Sequence, residues 1–164
     1  MRKIILLSDT HNYLDKKIFP YLETCDEIWH AGDIGNWEII NQLNTFAKVR
    51  AVYGNIDGKE IRSELEESLQ FTCGNMKILM QHIGGYPGNY AKNIRNIIIK
   101  ENIDIFISGH SHILKVIYDK ELNVLHMNPG SIGNSGHHKV KTIISFIIEN
   151  EKINDMNVIE FPRS

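Results

Sequence analysis

The stretch RKIILLSDTH, residues 2–11, passes from an apolar run directly to two side chains that can bind a metal ion. The β-branched and leucine-rich segment Arg2 to Ser8 is typical of a strand that is buried on both faces. Asp9 and His11 follow it, and because they are two residues apart in an extended segment, their side chains can reach one centre. This opening therefore predicts a buried strand that ends at a metal-binding loop.

Three later segments also place a polar residue after an apolar run, and in each of them a glycine directly precedes the polar residue. They are Glu27 to His30 before Gly32-Asp33, Lys48 to Tyr53 before Gly54-Asn55, and Asp104 to Ser108 before Gly109-His110. Three segments between these runs carry apolar residues at helical spacing, namely Asp15 to Thr24, Trp37 to Asn44, and Tyr90 to Asn102. Pro20 must kink or shorten the first of them. Alternating strands and helices predict an α/β fold, in which the loops at the carboxyl ends of the strands converge.

Turn residues between apolar runs predict three antiparallel hairpins. The hairpins pair Leu69 to Cys73 with Met76 to Gln81, Leu114 to Tyr118 with Asn123 to Met127, and Val140 to Ile148 with Ile153 to Phe161. We therefore expect a mixed sheet system that is divided into two sheets. No repeat or break in composition divides the chain, so residues 1–164 are predicted to form a single domain.

The composition indicates a globular protein without an electrostatic preference for polyanions. Its 164 residues are 42% hydrophobic and 23% charged, with a net charge of -2 and a pI near 6.4. Such a chain has no long-range attraction for nucleic acid or an anionic membrane, so neither partner is expected. Cys25 and Cys73 lack a metal-binding spacing and are predicted to be free thiols, and the apolar run Ile4 to Leu7 is too short for a signal peptide. We therefore expect a cytoplasmic protein, and both a monomer and a homo-oligomer fit this composition.

Five short motifs follow one another in the predicted loops. They are Asp9-Thr10-His11, Gly32-Asp33, Gly54-Asn55-Ile56-Asp57, His82, and Gly109-His110-Ser111-His112. Their order resembles the calcineurin-like metallophosphoesterase superfamily. Within it, the short chain and its last hairpins are similar to the small bacterial and archaeal phosphodiesterase branch, to which the retromer's phosphoesterase-like subunit is also related. The resemblance runs from Met1 to about Phe161. It implies a four-layer αββα sandwich of two mixed β-sheets flanked by helices.

The resemblance also implies a site for two divalent metal ions. One ion would be bound by Asp9, His11 and His112, the other by Asn55, His82 and His110, and both would be bridged by Asp33. Two divalent cations opposite two carboxylates leave a residual charge of about +2, which suits a phosphate oxyanion. A hydroxide between the ions would be the nucleophile, with Asp33, Asn55 and His82 as catalytic residues. Mn²⁺ is favoured, and Zn²⁺, Fe, Ni²⁺ and Co²⁺ also suit mixed nitrogen and oxygen ligands.

Ile56 is the main departure from the family pattern, because many relatives place a histidine there and use it to protonate the leaving group. Isoleucine cannot donate a proton, and loss of a general acid typically costs about 10²–10⁴-fold when the leaving group is poor. We therefore expect a preference for activated esters or a proton donor from elsewhere. His137 and His138 lie in a glycine-rich stretch and are either such donors or ordinary exposed loop histidines.

Three further residues are weaker candidates for supporting the site or the substrate. Tyr86 lies in a glycine-rich loop, where it either stacks on an aromatic group of the substrate or belongs to an ordinary surface loop. Asn12 either hydrogen-bonds a phosphate oxygen or caps the following helix. Asp57 is predicted to orient a ligand or the Asn55 loop instead of binding metal. In contrast, His30 and His126 lie in apolar strands and are expected to be core histidines.

The predicted function is that of a metal-dependent phosphodiesterase acting on small or activated phosphate esters. A phosphomonoesterase is an alternative, because the charge of such a site does not distinguish a diester from a monoester. A nuclease is another alternative, although the chain has no basic stripe to hold a polymer. The competing class is a non-catalytic protein-interaction module with the same fold, like the retromer subunit, and the complete ligand set argues against it.

Overall fold

A computed structural model describes residues 1–163 of the protein, which form two five-stranded β-sheets and a short separate hairpin. The strands are β1 (Arg2–Leu7), β2 (Glu27–His30), β3 (Lys48–Ala51), β4 (Ser68–Cys73), β5 (Met76–Gln81), β6 (Gly85–Tyr86), β7 (Asn89–Tyr90), β8 (Ile105–Ile107), β9 (Leu114–Asp119), β10 (Val124–Pro129), β11 (Val140–Glu149) and β12 (Lys152–Pro162). The α-helices are α1 (Phe19–Leu22), α2 (Trp37–Asn44), α3 (Lys59–Glu64) and α4 (Lys92–Glu101), and a 3-10 helix (Lys16–Ile18) precedes α1.

Each sheet combines parallel and antiparallel pairs of strands. The first sheet has the order β12-β11-β1-β2-β3, in which β1, β2 and β3 run parallel and β11 is antiparallel to β1. The second has the order β4-β5-β8-β10-β9, with β5, β8 and β10 parallel between two antiparallel edge strands. Parallel neighbours end at the same edge of a sheet, so the loops that follow them are brought together.

Apolar side chains from both sheets form the core between them. Strand β1 alternates, because Ile4 and Leu6 face the second sheet while Ile5 and Leu7 face α1 and α2. On the far side of the second sheet, α4 buries Ile98 against β5, β8 and β10. The layers therefore follow the order helix, sheet, sheet, helix, and the predicted αββα architecture of two mixed sheets is confirmed.

Several element boundaries differ from the prediction. The helix expected from Asp15 to Thr24 is divided into the 3-10 helix and the short α1, with Pro20 in the first turn of α1, where a missing N–H is tolerated. Strand β3 ends at Ala51, and Val52 forms only an isolated bridge with Glu66. Helix α3 and the hairpin β6–β7 were not predicted, because such short segments show little hydrophobic periodicity.

The remaining general features agree with the sequence. Cys73 is buried and Cys25 is half-buried, and both are free thiols. His30 and His126 are buried within the sheets, as expected for core histidines. None of the helices formed by residues 1–163 combines the length and the apolar character that crossing a membrane requires.

Candidate metal centre

The predicted metal ligands meet where the parallel strands of both sheets end. They are Asp9 and His11 after β1, Asp33 after β2, Asn55 after β3, His82 after β5, and His110 and His112 after β8. Six of them form two groups whose ligand atoms lie within 4.8 Å of one another, namely Asp9 with His11 and His112, and Asp33 with His82 and His110. The topology therefore brings residues distant in sequence to one place.

Asp33 lies between the two groups. Its Oδ2 atom is 3.2 Å from Nε2 of His82 and 3.4 Å from Nε2 of His11, so one carboxylate faces a ligand of each group. Its other oxygen, Oδ1, accepts a hydrogen bond from the backbone N–H of Ile56 at 3.1 Å. Asn55 adjoins the second group, with its Oδ1 atom 3.1 Å from Nδ1 of His110. From this position Asp33 can serve both groups.

Two buried nitrogen atoms show that the cluster fits a cation. Nε2 of His11 and Nε2 of His82 are buried and lack a hydrogen-bond partner within residues 1–163, which is rare for buried polar atoms. Nδ1 of His82 lies 2.7 Å from the carbonyl oxygen of Ala31 and must carry a proton, so Nε2 of the neutral ring is an acceptor. An acceptor that faces carboxylates needs a cation between them, and these residues therefore suit a metal ion.

Burial and close pairing shift the pKa values of side chains in the cluster in opposite directions. Burial of Asp9 alone would raise its pKa, but close pairing with His11 and His112 holds the pKa of this carboxyl well below its usual range. Burial likewise opposes protonation of His82, but the carboxylates of Asp33 and Asp9 outweigh it and raise the pKa of this imidazole. Protons and a metal ion compete for the same imidazole nitrogens, so a metal ion that binds His11 or His82 must displace any proton held there.

Five of the seven predicted ligands have a left-handed backbone conformation. Their φ angles are 60° for Asp9, 46° for His11, 56° for Asp33, 72° for His110 and 61° for His112. Only a few per cent of non-glycine residues adopt this region, in which Asp, Asn and His are enriched. Strained residues of this kind cost roughly 1–3 kcal/mol each and cluster at functional sites. The clustering therefore supports a functional interpretation of these loops.

Contacts from outside the ligand set hold Asp9 in place. Its Oδ2 atom accepts hydrogen bonds from the hydroxyl of Ser8 at 2.6 Å and from the backbone N–H of His110 at 3.3 Å. The other oxygen, Oδ1, is left to face Nε2 of His112 at 3.1 Å. Asn128 donates a hydrogen bond to the Gly109 carbonyl at 3.0 Å and so supports the same loop. Neither role was predicted: Ser8 reads as the last residue of the first apolar run, and Asn128 acts from β10, which is remote in sequence.

Asp57 and Arg62 fasten the loop that carries Asn55. Oδ2 of the buried Asp57 accepts hydrogen bonds from the backbone N–H of Gly54 at 2.7 Å and of Ile34 at 3.2 Å, which links the loop after β3 to the loop after β2. Arg62 of α3 donates to the backbone carbonyls of Asp57, Gly54 and Asn55. Asp57 therefore links the loops after β2 and β3, whereas Arg62 escaped prediction because α3 itself did.

Asn12 is not a helix cap. Its Oδ1 atom accepts a hydrogen bond from the side chain of Asn36 at 3.0 Å. The 3-10 helix that follows is capped by Asp15, whose carboxylate accepts a hydrogen bond from the backbone N–H of Lys17. The capping alternative for Asn12 is therefore wrong, because a residue closer to the helix takes that role.

The two loop histidines and Tyr86 have different surroundings. Nε2 of His138 lies 2.8 Å from the Gly133 carbonyl oxygen, and its ring packs edge to face on that of His112 at 5.2 Å between centroids. That nitrogen is committed to a structural contact, whereas His137 is exposed. Tyr86 lies in β6 and lines a cavity beside the second ligand group.

The Gly54→Ala variant is expected to bind metal more weakly while remaining folded. A Cβ atom at residue 54 would collide with the carboxylate and the backbone nitrogen of Asp33. Because disturbing the support of a ligand typically costs about 10–100-fold in metal affinity, a loss of that size is expected in Mn²⁺ titrations followed by calorimetry. Gly58→Ala is the matched control, since its Cβ would meet no atom within 4 Å. Equal affinities for the two variants would contradict this account of Gly54.

Known proteins share both the sequence pattern and the fold. The family model described as the calcineurin-like phosphoesterase superfamily domain matches residues 1–151. A probable metallophosphoesterase from Methanocaldococcus jannaschii is 34% identical, over 77% of this chain and 66% of its own length. Another from Mycoplasma pneumoniae is 29% identical over 99% of each chain. Among solved structures, Zn²⁺-complexed Vps29 from Entamoeba histolytica has a TM-score of 0.76 at 19% identity and covers 99% of each chain.

These similarities agree with the arrangement of the site. The family match includes all seven predicted ligands, since each lies within residues 1–151. The likeness to Vps29, at 19% identity, concerns the fold alone. The two groups of potential metal ligands fit the divalent metal chemistry of metallophosphoesterases. The chain belongs to the calcineurin-like phosphoesterase superfamily.

Proposed function

We propose that the protein hydrolyses small or activated phosphodiesters with two bound divalent metal ions, of which Mn²⁺ is favoured. The observation that carries this proposal is the position of Asp33, whose carboxylate faces an unpaired, buried nitrogen of each ligand group. One bridging carboxylate between two sets of nitrogen and oxygen ligands is the arrangement that a pair of cations requires. The substrate is a small phosphate ester that enters from the exposed side of the cluster.

The residues of the site bind and orient the substrate. Two ions bound there would supply an activated water and positive charge for in-line attack on phosphorus. With two carboxylates among the ligands, the loaded site keeps about two positive charges, which attract a phosphate anion. Asn55 and His110 are exposed, so the substrate approaches beside them. Asp57 and Arg62 hold the Asn55 loop and thereby keep this entrance fixed.

The residue at position 56 favours esters with good leaving groups. Ile56 is 44% exposed and its backbone N–H contacts Asp33, so its side chain lies at the rim of the site. An aliphatic side chain has no proton to give to a departing alkoxide. Nε2 of His138 does not supply the missing proton, because this nitrogen is hydrogen-bonded to the backbone carbonyl of Gly133. Aryl esters, whose leaving groups need no protonation, should therefore react fastest.

The proposal is tested with protein that has been made metal-free and then reconstituted. We expect hydrolysis of bis(4-nitrophenyl) phosphate after addition of Mn²⁺ and its loss after addition of EDTA. 4-Nitrophenyl phosphate, assayed in parallel, compares the monoester with the diester and is expected to react more slowly. Hydrolysis that needs no metal would contradict the proposal, and so would protein that holds two metal ions and hydrolyses no ester.

Activity is expected to rise from acid towards neutral and mildly alkaline pH. Pairing with Asp9 raises the pKa of His11 above 6.5, and carboxylates raise that of His82 against the effect of burial. Protons therefore occupy these ligands below about pH 6.5 and must leave before metal binds, so the affinity for Mn²⁺ increases as pH rises. Activity and the Mn²⁺ dissociation constant, measured between about pH 5 and pH 9, should change together. A maximum near pH 5 would be inconsistent with histidine ligands.

The Ile56→His variant is expected to gain activity towards an alkyl phosphodiester. A positioned general acid contributes about 10²–10⁴-fold, and an introduced imidazole that is not optimally placed should recover about tenfold. Turnover of bis(4-nitrophenyl) phosphate should change little, because its leaving group needs no proton. Ile56→Gln is the control for size and polarity. Unchanged turnover of the alkyl ester in Ile56→His would show that the missing acid does not set the preference.

A non-catalytic interaction module with the same fold is the alternative. The likeness to Vps29 does not favour it, because similarity at 19% identity bears on the fold alone. All seven predicted ligand positions hold metal-competent side chains, and folding alone does not require strained histidines in the loops. Metal-dependent turnover that is lost in variants of the ligands would exclude a purely structural role.

A further inference from the structure

A cavity of about 350 Å³ lies beside the candidate metal centre, on the outer face of the second sheet. His110 lines this cavity and also belongs to the second ligand group, so the two sites share a wall. A phosphoryl group held at the metal centre would therefore place one of its substituents at the mouth of the cavity. The volume falls within the range of small-molecule pockets, about 300–1,000 Å³.

Three large apolar side chains form the walls of this cavity. Ile83, Tyr86 and Ile113 are 48%, 45% and 61% exposed. The wall that carries Tyr86 is fastened to the sheet, because the hydroxyl of Ser108 donates a hydrogen bond to the Gly85 carbonyl at 3.2 Å. Exposed apolar surface around a preformed cavity favours the burial of an apolar group, at roughly 25 cal/mol per Å² of surface removed from water.

Lys115 adds a positive charge to the same cavity. Its ammonium nitrogen lies 4.3 Å from the centroid of the Tyr86 ring, which is a cation–π contact that orients the ring. Lys115 forms no ion pair within residues 1–163. Its charge is therefore available to an electron-rich or anionic ligand.

His126 also lines the cavity and offers it a hydrogen-bond acceptor on a planar ring. Its Nδ1 atom lies 3.2 Å from the Phe106 carbonyl oxygen and must carry the proton of the neutral ring, which leaves Nε2 as an acceptor. Burial lowers the pKa of His126 to about 4, so the ring is neutral at physiological pH. It stacks on the Phe106 ring with centroids 5.2 Å apart, which fixes its plane. A planar ring with a polar edge suits such a surface.

We propose that this cavity binds a planar aromatic group, either an aryl ring or a nucleobase, attached to the phosphate of the substrate. The apolar walls would bury the ring, Tyr86 would stack on it, and the shared wall at His110 would keep it one ester linkage from the metal centre. This inference rests on the proposed function, because the metal centre must hold the phosphoryl group. It narrows the substrate class from phosphodiesters in general to those with an aromatic substituent.

Phosphonates that differ in one substituent test the proposal, because their C–P bond is not hydrolysed and binding is measured without turnover. Calorimetric titration of the Mn²⁺-loaded protein compares ethylphosphonate, phenylphosphonate and thymidine 5′-phosphonate. Stacking of an aromatic ring is typically worth about 5- to 100-fold in affinity, so at least one aromatic ligand should bind that much more tightly than ethylphosphonate. A larger gain for phenylphosphonate identifies aryl esters, and a larger gain for the thymidine ligand identifies nucleoside esters.

Two variants connect this preference to the cavity. Tyr86→Ala and Ile113→Ala, both at exposed positions, should each reduce the aromatic preference and leave the affinity for ethylphosphonate unchanged. Tyr118→Ala is the matched control, since Tyr118 is 53% exposed on the same sheet but does not line the cavity. Equal affinities for the three ligands would overturn the proposal, and so would an aromatic preference that survives in both cavity variants.

The same titrations separate this inference from the proposed function. If the Mn²⁺-loaded protein prefers aromatic phosphonates but hydrolyses no ester, the proposed phosphodiesterase activity is wrong and the aromatic subsite stands. If the Mn²⁺-loaded protein hydrolyses esters but binds all three phosphonates equally, the proposed aromatic subsite is wrong and the phosphodiesterase activity stands.

Discussion

The Asp33→Asn variant is expected to lose the proposed Mn²⁺-dependent hydrolysis by at least about 10³-fold, because the proposed activation of water would depend on both metal ions. The carboxylate of Asp33 faces an unpaired nitrogen of both groups, at 3.4 Å from His11 and 3.2 Å from His82, and it is closer to both than the carboxylate of Asp9. An amide of the same shape removes the charge that would hold two cations close together in the proposed centre. Asparagine also tolerates the left-handed backbone at this residue, where φ is 56°, so the loop itself should be preserved.

Steady-state kinetics and metal analysis of the same preparations check this result. Asp155→Asn is the matched control, because Asp155 is exposed and its φ of 51° lies in the same backbone region. The control should keep its metal content and activity, whereas Asp33→Asn should retain at most one tightly bound ion. Full activity of the Asp33→Asn variant would show that Asp33 does not bridge two metal ions.

The Asp15→Ala variant is expected to be destabilised by about 3–5 kcal/mol, the usual effect of breaking a buried ion pair. Nζ of Lys141 lies 3.0 Å from Oδ2 of Asp15, and the two side chains are 0% and 8% exposed. Without the carboxylate, the buried ammonium loses its ion pair and keeps its contact with the Tyr13 ring, whose centroid is 5.0 Å away. Urea unfolding at neutral pH measures the loss.

A double variant separates the uncompensated charge from the loss of Asp15 itself. Asp15→Ala combined with Lys141→Met removes both charges and should recover most of the stability. If the double variant is as unstable as Asp15→Ala, the buried charge is not the cause.

The ion pair between Asp15 and Lys141 also makes the protein more stable at neutral pH than in acid. Burial opposes ionisation, but the hydrogen bonds from the Lys17 backbone and from Lys141 hold the pKa of Asp15 below its usual value of 3.8. A carboxylate with a lowered pKa in the folded state stabilises the fold above that usual value. This contribution is therefore complete at neutral pH and is lost as the pH falls below about 4.

The positions of the ligands could be predicted because each depends on a local pattern. Strand β1 has a buried apolar run from Ile4 to Leu7 and β2 is buried over its whole length, and the polar residues after them stand where a parallel strand has to end. The order of strands and helices then places these loops at one edge of the sheets. The left-handed φ of Asp9 and Asp33 was not predicted, because tertiary contacts impose it on residues that merely tolerate it.

Other features depend on contacts between distant parts of the chain and escape sequence reasoning. Lys141 lies in a strand whose pattern looks ordinary, and its burial follows only from the approach of Asp15. Arg62 acts on the Asn55 loop through a helix too short to show periodicity. Tyr86 lines the cavity beside His110 from the short hairpin β6–β7, which Ser108 contacts directly after β8, and no local signal marks that contact.

The central claim is that two cations share the Asp33 carboxylate, and electron paramagnetic resonance of the Mn²⁺-loaded protein tests it most directly. Bridged Mn²⁺ ions a few ångströms apart are magnetically coupled, whereas distant ions give the hyperfine pattern of isolated Mn²⁺. We expect two equivalents of Mn²⁺ per chain with a coupled signal in the wild-type protein, and loss of the coupled signal in Asp33→Asn. Folded protein that takes up no Mn²⁺, or that gives only the signal of isolated ions at full loading, would contradict the two-metal centre.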